Sequence, residues 1–285
     1  MKIYLDYNAT TPVDREVAQA IQPYLNEIYG NPSSSHSFGT EAAQAVENAR
    51  KQVAALIRCE PQEIIFTSGG SESNNLAIKG FAYAHMHKGN HIIISSVEHP
   101  AVTEVCRYLG EKGFGVSIIP VDEYGIIQLD KLEAAITPKT ILISVMHANN
   151  EIGTIQPIEA ISGIARKHHI AFHTDAAQSV GKFPVDVHKA GVDLLSVAGH
   201  KLYATKGIGA LYVREGIYLE KLIHGASHEQ DRRAGTENVP GIVGLGKACE
   251  IALSDLDRHR SHMERMRNLL YHSLREKNPE IRLNG

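Results

Sequence analysis

Cysteine is scarce in this chain: three residues in 285, in no pairing pattern, cannot build a disulfide framework and imply a reducing compartment. Long apolar runs are missing too. No stretch approaches the about 18 residues that a membrane span needs, and the opening Met1-Lys2-Ile3-Tyr4-Leu5-Asp6 has no apolar core of a secretory signal. The sequence therefore predicts a cytosolic (cytoplasmic) protein with no membrane partner. Neither sign of charge prevails, with 29 Lys and Arg against 32 Asp and Glu and a formal net charge of −3, which offers no electrostatic footprint for nucleic acid. The densest basic stretch, Arg258-His259-Arg260 through Arg265, Arg267 and Arg275, is interleaved with Asp255, Asp257, Glu264 and Glu276 and reads as a solvated helix face. Histidine is plentiful at 16, but His85-Met86-His87 and His168-His169 have no Glu or Cys at ligand spacing, so no metal site is expected. Internal repeats and low-complexity linkers are absent.

What is present is alternation. An extended N-terminal arm leads to turn residues at Asn31-Pro32-Ser33-Ser34-Ser35, followed by a helical pattern from Glu41 to Ile57. Strand-like runs recur at 63–68, 91–97, 115–121, 140–147, 170–175, 192–197 and 208–213. Helical patterns separate most of them, as at 100–112, 130–136 and 158–168, and from about residue 243 the pattern is wholly helical. This order predicts an α/β fold with a mostly parallel sheet wrapped by helices and ligands bound at the strands' C-terminal ends. The expected organisation is an arm over 1–13, a large domain over 14–255 and the start of a small one over 256–285.

Five segments at such strand ends hold polar residues. Asp175 ends the run before Ala176-Ala177-Gln178, and Lys201 follows Ser196-Val197-Ala198-Gly199-His200. A lysine amine that can form a Schiff base and a carboxylate that keeps a pyridine nitrogen protonated are what pyridoxal 5'-phosphate (PLP) chemistry needs. Phe66-Thr67-Ser68-Gly69-Gly70-Ser71 turns from strand to helix, exposing N–H groups that suit a phosphate. An ordinary cap by Ser68 or Ser71 explains the same residues. His99, in Val97-Glu98-His99-Pro100, can lie on a ring and exchange protons, or simply cap a helix opened by Pro100. His147-Ala148-Asn149-Asn150-Glu151-Ile152-Gly153 fits a site or plain turn chemistry.

Taken in order, these segments resemble the cysteine desulfurases of the class V aminotransferase superfamily. Tyr4–Pro12, Gly207–Val213 and Arg232–Gly241 agree, so the resemblance runs from residue 4 to the last residues. It implies the fold-type I architecture of PLP enzymes and roles for individual residues. Lys201 would hold the cofactor and shuttle the Cα proton. Asp175 would pair with the ring nitrogen, Gln178 with the ring hydroxyl, and His99 would stack on the ring. Gly70, Ser71 and His200 would contact the phosphate, Asn150 would face the adduct with substrate, and Thr236 would reach the phosphate of a neighbouring subunit in a homodimer. The implied substrate is L-cysteine, and the implied sulfur recipient an iron–sulfur scaffold or other acceptor protein.

The chain departs from the pattern in places. Ala198 stands where the family commonly has a phosphate-binding serine, and Thr205 where a proline is usual. The resemblance also implies a mobile loop with a nucleophilic cysteine, then a carboxylate-binding arginine, beyond residue 285; the chain is expected to be an N-terminal portion that lacks both. Cys106 keeps core spacing with Val102, Val105 and Leu109, and Cys249 lies in a helical stretch, so both read as small buried apolar residues. Cys59 reads the same way, although a thiol at a turn could instead be exposed and reactive. A related class V lyase such as selenocysteine lyase, an aminotransferase, or a non-catalytic PLP-binding scaffold are the alternatives.

Overall fold

The computed structural model describes residues 2–285. Seven strands form one sheet: β1 (Ile64–Thr67), β2 (His91–Ser95), β3 (Gly115–Ile119), β4 (Thr140–Ser144), β5 (Ala171–Asp175), β6 (Leu194–Ala198) and β7 (Gly209–Val213). Their spatial order is β1-β7-β6-β5-β4-β2-β3. Pairs among β2 to β6 are parallel, and β7 alone runs against both its neighbours. The helices are α1 (Arg15–Ile21), α2 (Pro23–Asn26), α3 (Ser37–Ile57), α4 (Gly70–Asn75), α5 (Phe81–His85), α6 (Pro100–Glu111), α7 (Leu129–Ala134), α8 (Ile158–Lys167), α9 (Val187–Ala190) and α10 (Val239–Lys277).

The central strands are apolar runs rather than alternating ones because helices cover both faces. Ile93, Ile143, Phe172, Leu195 and Val197 pack toward α3, α8 and α10, while Ile92, Ile94, Leu142, Leu194 and Leu211 pack with α6 and its neighbours. One fully buried polar ladder crosses the sheet: His173 bonds Ser144 at 2.8 Å and Ser196 at 3.0 Å through its two ring nitrogens. Burial pushes His173 down to about 3, so its ring is neutral.

Strands β1 to β4 end one to three residues earlier than the pattern suggests, where the chain turns to build loops, while β5 and β7 end as expected and β6 one residue later. The run 115–121 stops at Ile119 because Pro120 has no N–H for the ladder, and Val121 pairs instead with Ile127. The N-terminal segment is irregular to Val13, with a turn over 7–9 where the Ala9 N–H donates to the Asp6 carbonyl at 3.1 Å. Asp14 then caps α1, accepting from the Glu16 N–H at 2.7 Å, and Pro23 opens α2. The long helix begins at Val239, capped by Asn238, and packs against α3 so closely that a Cβ on Gly246 would lie 2.6 Å from the Ala49 Cα. Beyond Ala252 it leaves the core, with Leu253, Leu269 and Leu270 exposed.

Candidate active site

The C-terminal ends of β1, β2, β4, β5 and β6 open onto one cavity of about 890 Å³. Nine residues picked from the sequence line it: Gly70, Ser71, His99, Asn150, Asp175, Gln178, Ala198, His200 and Lys201. Thr236 does not; it is exposed on the loop before α10.

Asp175 ends β5 and is 5% exposed. Its Oδ2 accepts from Asn74 Nδ2 at 2.7 Å and its Oδ1 from the Ala177 N–H at 3.0 Å. Burial raises its pKa above the ordinary carboxylate value, against the pull of those bonds and of His99 and Lys201. A buried carboxylate with no direct ionic partner among the described residues is a site for a cationic N–H, and the ring nitrogen of PLP fits it.

Lys201 closes a short 3₁₀ turn after β6 and is half-buried. Its ammonium donates to the Asn8 carbonyl and, at 2.9 Å, to that of Ala9. Burial lowers its pKa, while Asp175, Asp6 and Glu151 oppose the shift. The N-terminal arm is therefore part of the site, a feature its extended pattern did not announce. Thr11 donates twice to the His200 carbonyl, from N–H at 3.0 Å and Oγ1 at 2.9 Å, and Asn8 Nδ2 reaches the Asn150 carbonyl at 3.2 Å.

At the start of α4, neither Ser68 nor Ser71 caps the helix, since no side chain bonds its first N–H groups. Gly69 sits at φ 148°, and β7 approaches so near that a Cβ on Gly209 would meet the Gly69 Cα at 2.7 Å. The turn thus presents uncapped donors at a positive helix end, a cradle suited to phosphate. Ala198 faces it, within 3.2 Å of where a Cβ on Gly70 would lie. His200 bonds Thr10 Oγ1 at 3.2 Å from Nδ1.

His99 combines both readings of its segment. Its Nδ1 accepts from the Ala101 N–H at 3.1 Å, capping α6, and its ring also borders the cavity. An accepting Nδ1 leaves the proton of the neutral ring on Nε2. Asn149 makes the turn, accepting from the N–H groups of Glu151 and Ile152 at 2.8 and 3.0 Å, and so sets Asn150 on the wall.

Asn74, Glu98 and Lys182 were not singled out as site residues. Asn74 lies one turn into α4, and its pairing with Asp175 across the sheet has no local sequence signature; its Oδ1 has no partner. Glu98 is buried, accepts from Ser95 Oγ and takes the Met146 N–H on both oxygens at 2.9 and 3.1 Å. It thereby ties the His99 turn to the end of β4. Burial, with Asp175 adding to it, pushes Glu98 up to about 8.

The cysteines stand apart. None lines the cavity, and Cys106 and Cys249 are fully buried. Cys59 is half-buried, not exposed, and precedes β1 at the opposite edge of the sheet. Burial pushes Cys59 and Cys106 up to about 12, and Cys249 upward as well. All three are poor nucleophiles.

The loop 228–238 is pinned to this framework. Buried Glu229 takes Arg50 in a two-pronged pair at 2.8 and 2.9 Å and accepts from the Phe66 N–H at 2.8 Å. Glu72 pairs with Arg233 at 2.8 Å while accepting from the Ser68 N–H at 2.7 Å.

An α/β protein with a lysine and a carboxylate converging on a phosphate-type cradle belongs to a limited set of classes, and comparison with known proteins narrows it. The aminotransferase class-V family model matches residues 3–285. The chain is 51% identical over 284 residues to the cysteine desulfurase IscS of Dictyoglomus turgidum, covering 100% of this chain and 72% of that one. It is 50% identical over 283 residues to the IscS of Methanosarcina thermophila, covering 99% and 70%. Among solved structures, a NifS-like protein superposes with a TM-score of 0.95 at 42% identity, covering 98% of this chain and 77% of that one. SspA in complex with cysteine superposes with a TM-score of 0.85 at 46% identity, covering 87% and 72%. The chain belongs to the class V aminotransferases and, within them, to the cysteine desulfurase family. It spans about 70% of the length of the curated relatives it matches.

Among the described residues, no helix is long and apolar enough to cross a membrane.

Proposed function

We propose that the protein is a PLP-dependent cysteine desulfurase, taking L-cysteine to L-alanine and passing the sulfur to an acceptor for iron–sulfur cluster or thiolated-cofactor assembly. The observation that carries the reading is the meeting of Lys201, Asp175, His99 and the uncapped start of α4 around one cavity. Once bound, PLP supplies an electron sink for the pair left when Cα loses its proton. Asp175 would hold the ring nitrogen, and Gly70, Ser71 and His200 the phosphate. Ala198 brings no hydroxyl to that cradle.

Lys201 is the residue placed to move the Cα proton. Its amine is held by two backbone carbonyls rather than by a carboxylate, and its lowered pKa eases the release of a proton. His99 borders the cavity with Nε2 free, positioned to stack on the ring and exchange protons. Asn150 would face the substrate. No thiol among Cys59, Cys106 and Cys249 suits sulfur transfer, so the accepting thiolate comes from residues other than these. We further take the protein to be a cytoplasmic homodimer in which Thr236, exposed on its pinned loop, reaches the neighbouring subunit's phosphate. Residues 1–13 would form an arm, 14–255 the large domain and 256–285 the start of a small one.

The test is to titrate the protein with PLP, follow the violet absorption band, and then add L-cysteine and identify the products. A band that L-cysteine perturbs, with alanine as product, supports the reading. A keto acid in place of alanine overturns it in favour of an aminotransferase.

A further inference from the structure

The short turn after β5 places Gln178 and Lys182 four residues apart, where one helical turn sets side chains on the same side. Gln178 is buried and lines the cavity of Lys201. Its Nε2 donates to the Asn8 carbonyl at 3.0 Å, and its Oε1 accepts from the Lys182 ammonium. Lys182 is half-buried, and among the described residues it has no carboxylate within ion-pair distance. Its side-chain hydrogen bond goes to a neutral amide oxygen.

The two ends of a glutamine amide have nearly the same shape, so packing alone does not decide which way round it sits. Two partners do: the Asn8 carbonyl can accept only from Nε2, and the ammonium, with three donors and no acceptor, can face only Oε1. We propose that Lys182 is a positioning residue, whose ammonium fixes the Gln178 amide with Oε1 turned outward and Nε2 kept at the cavity wall as a donor. The proposal rests on the PLP reading of that cavity, in which Nε2 meets the phenolic oxygen of the ring. Lys182 does not line the cavity that holds Asp175 and Lys201 but opens on a second one of about 350 Å³, so it would not contact the cofactor. Burial and the charge of Lys201 bring Lys182 down to about 8, in keeping with a cation that has given up solvent to hold this bond.

The test measures PLP affinity and the position of the bound cofactor's visible band in the wild type, Lys182→Met, Gln178→Ala, the double variant and Lys182→Arg. Circular dichroism checks each fold, and Lys182→Leu replaces the methionine variant should that one unfold. We expect Lys182→Met to bind PLP about tenfold more weakly, with a displaced band, since a buried acceptor loses its donor and the amide is held by the Asn8 carbonyl alone. On the Gln178→Ala background the same substitution should change affinity by less than about twofold, and Lys182→Arg, which keeps a donor, should hold near wild type. An unchanged Lys182→Met, or an equal loss on both backgrounds, overturns the proposal, because the lysine then acts independently of the amide. A wild-type protein that yields no borohydride-stable PLP adduct overturns the cofactor reading itself and this proposal with it, and that control separates the two failures.

Discussion

Replacing Glu229 by alanine should be among the most damaging changes available outside the cavity. The carboxylate is 3% exposed, and the Arg50 side chain that it grips is 6% exposed. Its removal leaves a buried guanidinium with one remaining backbone acceptor, the Ile64 carbonyl at 2.7 Å, and an exposed partner, Glu47. It also orphans the Phe66 N–H. Breaking a buried pair on one side costs about 3–5 kcal/mol, which for a chain of this size lowers the melting temperature by roughly 6–20 °C. The local backbone adds to the case: Glu229, Gln230 and Asp231 sit at φ 49°, 58° and 62°, three successive left-handed residues that the pair helps to hold. Urea and thermal unfolding of Glu229→Ala and of the Arg50→Met/Glu229→Leu double variant give the measurement. The double variant should recover the part of the loss due to the unpaired charge, though not that of the Phe66 N–H. A loss below about 1 kcal/mol in the single variant would refute the argument that this pair pins the loop.

Ala198→Ser should restore a hydroxyl beside the start of α4 and tighten PLP binding by about 0.5–1.5 kcal/mol, or roughly 2- to 12-fold, read by equilibrium titration; weaker binding would mean that the added hydroxyl crowds the cradle. Acid should destabilise the fold through two histidines: His173 and His147 are held by burial at about 3 and about 4, below their ordinary value, so stability present above the ordinary pKa is lost as pH falls through the folded ones. Glu98 works in the opposite sense, because its folded pKa of about 8 lies above the ordinary one and its contribution fades as pH rises from the ordinary carboxylate range toward 8; Glu98→Gln should therefore steepen the acid-side loss seen in unfolding curves. Because none of these thiols suits sulfur transfer, sulfide and alanine production from L-cysteine should be slight, replacing Cys59, Cys106 or Cys249 singly by serine should leave it at the wild-type level, and none should react quickly with a thiol reagent in the native state at neutral pH. Abolished turnover in any one of them would mean that its thiol does reach the substrate sulfur.

The order of strands and helices was legible because continuous apolar runs ending in Gly, Asn, Asp or His mark strands that deliver loops to one edge of a covered sheet. The same ends held nine of the ten candidate site residues. Lengths were less legible: Pro120 stopped β3, and the cap at Asp14 started a helix in a segment whose apolar pattern is weak. The contribution of the arm was invisible, since Asn8 and Ala9 reach Lys201 with backbone carbonyls that no side chain advertises. Long-range pairings such as Asn74 with Asp175 or Arg50 with Glu229 join distant residues and have no periodicity to betray them. Glu98 has no signature in the sequence because burial, which defines its chemistry, is a property of the packed sheet.

The central claim is that Lys201 is the residue that binds the cofactor covalently. Protein loaded with PLP, reduced with borohydride and digested should yield one modified peptide by mass spectrometry, carrying the reduced adduct on Lys201, and Lys201→Ala should yield none. An adduct on Lys182 or Lys206 instead, or one that survives in Lys201→Ala, would contradict the account.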